Sequence, residues 1–430
     1  MAGRRRKGKR LGLLALVILL ALVIAGCYIL WQRGYIDLPF GTESASDSTA
    51  SDGSDSTASD SSDSTASDGS DSTASDASDS TASDSSDSTV SDSSDSSGGA
   101  DIVTENLSIH FPMLGNAYTG DCVLIKTGDT EVLIDAGSRQ SSAAAISDYI
   151  DEYCTDGVLE YVIATHADRD HIAGLVGTKS GGSYNGILYE YRVGTLIQFV
   201  RTNKSAQTDS GGVSLYGNYL EAVSYAVAQG TQVYTALDCW NNADGAQRSY
   251  TLSEGIEMNF LYQRFYEESS SDENNYSVCM LLTQGQNNYL FTGDLEAEGE
   301  ESLVEENDLP ECKLFKAGHH GSPTSSNDVL LSVIRPEIVV VCCCCGSDEY
   351  TDNVANMFPS QAFVDRVAKY TDRIYVTTVV SENDAGFEPM NGNIVLSSDG
   401  GEVSVRCSAS DLVFRESEWF KENRTWPSAG

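Results

Sequence analysis

Apolar and polar positions divide the chain into three regimes. Leu11 to Trp31 is an uncharged apolar run of 21 residues. At the helical rise it covers about 30 Å, the thickness of a bilayer's hydrocarbon core. Residues 41–100 carry almost no apolar side chain at all. From Asp101 onward the pattern turns periodic. Short runs at Leu107–Pro112, Cys122–Thr127 and Glu131–Ile134 predict strands, with Gly128-Asp129 marking a hairpin turn. Ala145, Ile146, Tyr149 and Ile150 form one face of a helix expected over Ser141–Tyr153. Leu159–Ala164 predicts a strand that runs straight into His166. Further strands are expected at Ser277–Leu282, Tyr289–Phe291, Cys312–Phe315 and Ile338–Cys344. Helices are expected at Glu296–Glu306, Asn327–Ile334 and Ser360–Tyr370, the second of them capped by the serines before it. Strands alternating with helices indicate an α/β layered domain.

Charge changes the picture at the N-terminus. Arg4, Arg5, Arg6, Lys7, Lys9 and Arg10 precede the apolar run, which keeps the N-terminus cytoplasmic and exports the rest of the chain. The chain therefore reads as a single-pass cell-membrane protein with an extracellular catalytic domain. The apolar residues Tyr28-Ile29-Leu30-Trp31 favour an uncleaved anchor. Ile24-Ala25-Gly26-Cys27 leaves open a lipoprotein anchored at Cys27. Residues 46–93 are six copies of an eight-residue Ser-Asp-Ser-Thr-Ala-Ser-Asp-x repeat, with Val90 replacing Ala in the last. Its aspartates repel one another and nothing in it builds a core, so 41–100 is expected to be a disordered spacer. A flexible chain of that length spans roughly 40 Å. The remaining segment, roughly 310 residues, suffices for one sizeable core. The expected organisation is an anchor at 1–40, the spacer at 41–100, a catalytic domain at 101–412 and a tail at 413–430. Of the 11 cysteines, Cys342–Cys345 continue the apolar run from Ile338. They read as small core residues on alternating faces, without a disulfide framework.

The chemistry gathers in two motifs. Of five histidines, four sit in His166-x-Asp168-x-Asp170-His171 and His319-His320. Both follow expected strand ends, where a rigid scaffold presents ligands. Two imidazoles and two carboxylates within one short loop suit a pair of divalent cations better than one. Phe291-Thr292-Gly293-Asp294 adds a further acid at another strand end. His110 reads as an ordinary strand residue.

These motifs resemble the metallo-β-lactamase superfamily, and within it the hydrolase domain of the ComEC type. The likeness runs over about 107–408 and includes Ile109-His110-Phe111, Gly120–Ile125, Leu133–Gly137, Thr165–Gly174, Phe291–Glu296, Lys316–Ser322, Asn393-Ile394-Val395 and Ser398-Asp399-Gly400. The resemblance implies an αββα sandwich with two metals at one edge, between the sheets. By the same resemblance His166 and Asp168 hold the first metal, Asp170, His171 and His320 hold the second, and Asp294 bridges both. Catalytic weight then falls on Asp170 and Asp294. Asp135 is implied as a structural acid beneath the loop, and His319 as a supporting or substrate-facing residue. Lys316 is left either as a phosphate contact or as a solvated strand residue. Two departures stand out. No His lies between His171 and His319, so the first site is left to water or to an acid such as Glu273. Phe358-Pro359 replaces a frequent His-Pro. A carboxylate-rich site admits Mn²⁺ as well as Zn²⁺.

The function implied is metal-assisted hydrolysis of a small-molecule or phosphoester substrate. Residues 101–430 hold 49 acidic and 19 basic residues, a balance of −30. Strong nucleic-acid binding is therefore not expected. A DNA-uptake-associated nuclease and a non-catalytic extracellular binding module remain as alternatives.

Overall fold

The computed structural model describes residues 106–381 and 386–428. The expected anchor and spacer lie outside them. Among the described residues no helix is long and apolar enough to cross a membrane.

The alternating patterns form two eight-stranded sheets. The first is built from β1 (Leu107–Phe111), β2 (Val123–Thr127), β3 (Thr130–Ile134), β4 (Val158–Ala164), β7 (Arg192–Gln198), β8 (Gln232–Thr235), β17 (Ile394–Ser398) and β18 (Val403–Cys407). Its strand order is β18-β17-β1-β2-β3-β4-β7-β8. The two-residue strands β5 (Lys179–Ser180) and β6 (Ser183–Tyr184) form a separate ribbon. The second sheet runs in order from β16 back to β9. Its strands are β9 (Ser249–Ser253), β10 (Ile256–Phe260), β11 (Met280–Gln284), β12 (Asn287–Phe291), β13 (Leu314–Lys316), β14 (Ile338–Cys345), β15 (Ile374–Val380) and β16 (Phe387–Pro389). Both sheets are mixed. β3, β4, β7 and β8 run parallel in the first, and β12 to β15 run parallel in the second.

Side-chain alternation along the central strands divides the interior. Tyr289, Phe291, Leu314, Val340 and Cys342 join one cluster with residues of the first sheet. Leu290, Phe315, Val341, Cys343 and Cys345 join another with Leu303, Leu331 and Phe363. The first cluster is thus shared by the two sheets. The second cluster packs the other face of the second sheet against α6 (Ala297–Glu306), α7 (Asp328–Ile334) and α8 (Gln361–Val367), as a strand's two-residue period demands. The first sheet is accompanied by α1 (Ser142–Ile150), α2 (Arg169–Val176), α3 (Ile187–Glu190), α4 (Leu215–Ala228) and α5 (Ala236–Asn241). All ten described cysteines are unpaired, and Cys342–Cys345 are buried.

Several expectations shift. The strand expected from Ser277 begins at Met280, because Val278 N donates to Thr165 O and fastens the chain to the other sheet. The first helix stops at Ile150 rather than Tyr153. Residues 413–428 are not a separate tail. Phe414 and Phe420 are buried in the second cluster, and α9 (Glu418–Asn423) leads to Arg424, which donates to Pro359 O and Met357 O. The serines do not cap α7. Instead the buried Glu300 carboxylate accepts from Ser326 N, Asn327 N and the Asn327 side chain.

Candidate metal centre

The site gathers where strands of both sheets end. β4 delivers Thr165 and His166, β3 delivers Asp135, β12 leads through Gly293 to Asp294, and β13 leads to His319 and His320. α2 starts inside the metal loop and carries Asp170 and His171 on its first turn, with Asp168 at its N-cap. His319 and His320 both have positive φ, so the chain turns sharply and sends the two rings different ways. His320 is buried and His319 stands half-buried at the rim.

Ligand atoms of Asp170, His171, Asp294 and His320 all lie within 4.8 Å of one another. Asp294 Oδ2 is 3.0 Å from His171 Nε2 and 3.1 Å from His320 Nε2. Asp170 Oδ2 is 3.4 Å from His320 Nε2. Carboxylates beneath the rings set their orientation. Asp135 Oδ2 lies 2.8 Å from His171 Nδ1, and the same side chain accepts from Thr165 N and Oγ1. His320 Nδ1 lies 2.9 Å from Cys342 O and 3.1 Å from Asp121 Oδ1. Nδ1–H is thereby engaged in both rings and Nε2 is turned inward, the arrangement that metal-binding histidines adopt. Burial works against charge on His171 and His320, but Asp294, helped by Asp135 for the first and Asp121 for the second, raises both well above the ordinary imidazole range. Burial likewise works against charge on Asp170, yet His320 and His171 hold its carboxyl far below the usual range.

The other half is looser. His166 is buried, with Nδ1 3.2 Å from Thr165 Oγ1, while its Nε2 makes no hydrogen bond. Asp168 Oδ2 lies 3.6 Å from that nitrogen, and Asp168 Oδ1 is paired with Lys204. Burial, reinforced by neighbouring His171, pushes His166 down to about 4, so it is a neutral donor of its lone pair. Asp294 Oδ1 and His320 Nε2 also make no hydrogen bond. Fully buried polar atoms left this way are costly unless something else binds them. His320 and Asp294 belong to the Asp170–His171 group, a donor set that fits a divalent cation, and the His166 ring lies 4.0 Å from the His171 ring at its side.

A second group of acids, Asp121 and Asp135 about His171, lies close enough to invite the same reading. Their oxygens are already committed to His320, Lys316, Thr165 and His171. They support the histidines from behind.

Lys316 is not a solvated strand residue. It is buried and paired with Asp121, 3.7 Å from Asp294 Oδ1. Glu273 does not complete the first half either, because its oxygens accept from Ala167 N, Thr202 Oγ1 and Asn203 N. His319 Nδ1 lies 3.3 Å from Glu296 Oε1 and 3.2 Å from Thr324 Oγ1. His110 is a strand residue between Tyr149 and Tyr153. Phe358 packs against both His319 and His320.

Sequence reasoning gave no role to Asp121, Tyr350, Glu349 or Lys204. Tyr350 donates to Asp170 Oδ2 at 2.5 Å. Glu349 accepts from Thr119 N and pairs with Arg139, whose guanidinium lies 3.8 Å over the Tyr118 ring. For Asp121 there was a signal, since Gly120-Asp121 opens a strand at the edge where Asp135 closes one. Tyr350 sits in an irregular loop far along the chain and left none.

Residues 115–201 match the family model of the metallo-beta-lactamase superfamily. Recombination protein 2 of Haemophilus influenzae is 29% identical over 115 residues, 27% of this chain and 14% of its own length. Competence protein ComA of Neisseria gonorrhoeae is 27% identical over 225 residues, 52% of this chain and 25% of its own length. The matches thus span a quarter or less of these relatives. Among solved structures, the metallo-beta-lactamase fold protein YhfI of Bacillus subtilis aligns with a TM-score of 0.36 and 10% identity, covering 64% of this chain and 96% of that one. Residues 115–201 therefore carry a metallo-β-lactamase-type domain, and the chain is similar over part of its length to ComEC-type competence proteins.

Proposed function

We propose that the chain is a metal-dependent hydrolase that cleaves a phosphoester or phosphodiester, held at the outer face of the cell membrane by its N-terminal segment. The observation that carries the hydrolase reading is the gathering of ligand atoms of Asp170, His171, Asp294 and His320 within 4.8 Å of one another, all buried. His166, Asp168, Asp170, His171, Asp294 and His320 would hold two divalent ions, Zn²⁺ or Mn²⁺. Such ions supply Lewis acidity toward the scissile bond and lower the pKa of water. The chain's own part is to fix that surround. Asp135 and Asp121 hold His171 and His320 with Nε2 inward. Tyr350 fixes Asp170, which leaves that carboxylate one set orientation. His319, Glu296 and Thr324 offer a polar, proton-exchanging rim beside the site. Phe358 shields the two histidines from bulk water.

A nuclease acting during DNA uptake is the second reading, favoured by the names of the relatives and opposed by the acidic surface. The test uses the full chain with Mn²⁺ or Zn²⁺ against bis-p-nitrophenyl phosphate, single-stranded DNA and a chromogenic cephalosporin. Diester turnover that falls at least about a hundredfold in Asp294→Ala supports the proposal. Failure of the wild type to retain any metal overturns it. Turnover of DNA alone selects the second reading.

A further inference from the structure

The two halves of the centre differ in one respect that the ligand types alone do not reveal. In the half made by Asp170, His171, Asp294 and His320, no lysine or arginine side chain among the described residues pairs with Asp170, and Lys316, paired with Asp121, stays 3.7 Å from Asp294 Oδ1. In the half made by His166 and Asp168, one oxygen of Asp168 is already taken by the Lys204 ammonium, and only the other faces His166 Nε2, at 3.6 Å.

Lys204 is not a passing surface contact. Its loop comes after β7 and is tied down by the buried Glu273 carboxylate, which accepts from Thr202 Oγ1 at 2.7 Å and Asn203 N at 2.6 Å. Lys204 N in turn donates to Thr202 Oγ1 at 2.9 Å. The same carboxylate accepts from Ala167 N, inside the metal loop itself, at 3.3 Å. One acid therefore fixes the backbone on both sides of the Lys204–Asp168 pair. The other lysine near the centre, Lys316, is buried against Asp121 and is not available to Asp168.

Resting on the metal-centre reading above, we propose that Lys204 competes with a divalent cation for Asp168, so that the two halves load unequally. The His171–His320 half fills first. The His166–Asp168 half fills weakly, because an ion there shares a carboxylate with a positive charge and meets its repulsion. No His lies between His171 and His319 in the sequence to offset that loss.

The full chain, stripped with a chelator, is titrated separately with Mn²⁺ and Zn²⁺ by equilibrium dialysis with elemental analysis. The expected result is two ions per chain, the second bound about tenfold or more weakly, the scale set by a unit charge a few ångströms from a divalent ion near solvent. Lys204→Gln tightens the second ion about tenfold and leaves the first unchanged. In an Asp168→Asn background Lys204→Gln has no effect. Thermal melts of the variants close to that of the wild type establish that each is folded. Two equal affinities in the wild type, or a second affinity untouched by Lys204→Gln, overturn the inference while sparing the metal centre. Absence of any bound ion in the folded wild type overturns the centre itself.

Discussion

His171 and His320 show how a single proton decides whether a ring can serve a cation. Each has Nδ1 against a buried acceptor and Nε2 against Asp294. Any change that turns Asp135 or Asp121 into a donor reverses the tautomer and removes the inward lone pair. His110 is the contrasting case, a buried histidine with a structural duty. It lies beside Tyr149 OH at 2.9 Å and Ser108 Oγ at 2.8 Å, with the Tyr153 ring 4.3 Å away. Burial pushes its pKa down to about 4, below the ordinary 6.5. Between those values the unfolded chain binds the proton and the folded chain does not. Its contribution to stability is therefore complete above pH 6.5 and lost as pH falls to 4. The size is roughly 3 kcal/mol if the whole shift is realised. Denaturant unfolding of the wild type between pH 7 and 4 should show this loss, and His110→Gln should show a slope flatter by most of it. Equal slopes in the two proteins would mean that His110 is protonated within the fold.

Among the elements, the turn after β3 packs its backbone directly against the start of α2. Gly137 N donates to Asp121 O, and a Cβ built on Gly137 would sit 1.5 Å from Asp170 O. The obstruction is backbone, so no rotamer change relieves it, and the start of α2 with Asp170 and His171 must shift. Gly137→Ala should cost more than about 3 kcal/mol of stability and abolish metal retention, whereas Gly401→Ala, whose added carbon meets only Asp399 Oδ1 at 3.5 Å, should stay within about 0.5 kcal/mol. Calorimetric melts and elemental analysis check both. The same turn shows what the sequence made legible. Leu133-Ile134-Asp135-Ala136-Gly137 declares a strand followed by an acid and a close approach, and the metal loop declares itself by ligand density. β1 to β4 and β12 to β14 were readable because strands buried on both faces leave short, nearly continuous apolar runs. β8 was not, since its half-exposed residues blur the period. α2 was hidden because the ligands themselves occupy its first turn. The roles of Asp121, Glu273, Lys204 and Tyr350 depend on contacts between residues far apart in the chain, which no local pattern encodes. Lys316 misled for a related reason: a lysine ending a strand looks solvated until its buried partner is known.

For the whole molecule, the governing quantity is charge. The folded segment's balance of −30 is joined by 15 acidic and 7 basic residues in 1–100, for −38 over the chain. Protein–DNA affinity usually derives from released counterions, and log K then falls steeply with log salt. That requires a continuous cationic track. Around the centre, Lys204 is neutralised by Asp168, Arg139 by Glu349 and Lys316 by Asp121. With these cations paired, the surface repels a polyanion over distances of about a Debye length, roughly 10 Å at 0.1 M salt. A small diester carries one charge and experiences little of this field. A labelled single-stranded oligonucleotide, monitored by fluorescence anisotropy, should therefore bind the full chain more weakly than about 10⁻⁴ M even at low salt. Raising the salt should screen the repulsion and leave binding level or slightly stronger. Hydrolysis of bis-p-nitrophenyl phosphate over the same range should change by less than about twofold. Micromolar binding that collapses as salt rises would instead require an unpaired basic groove, and would move the substrate back toward nucleic acid.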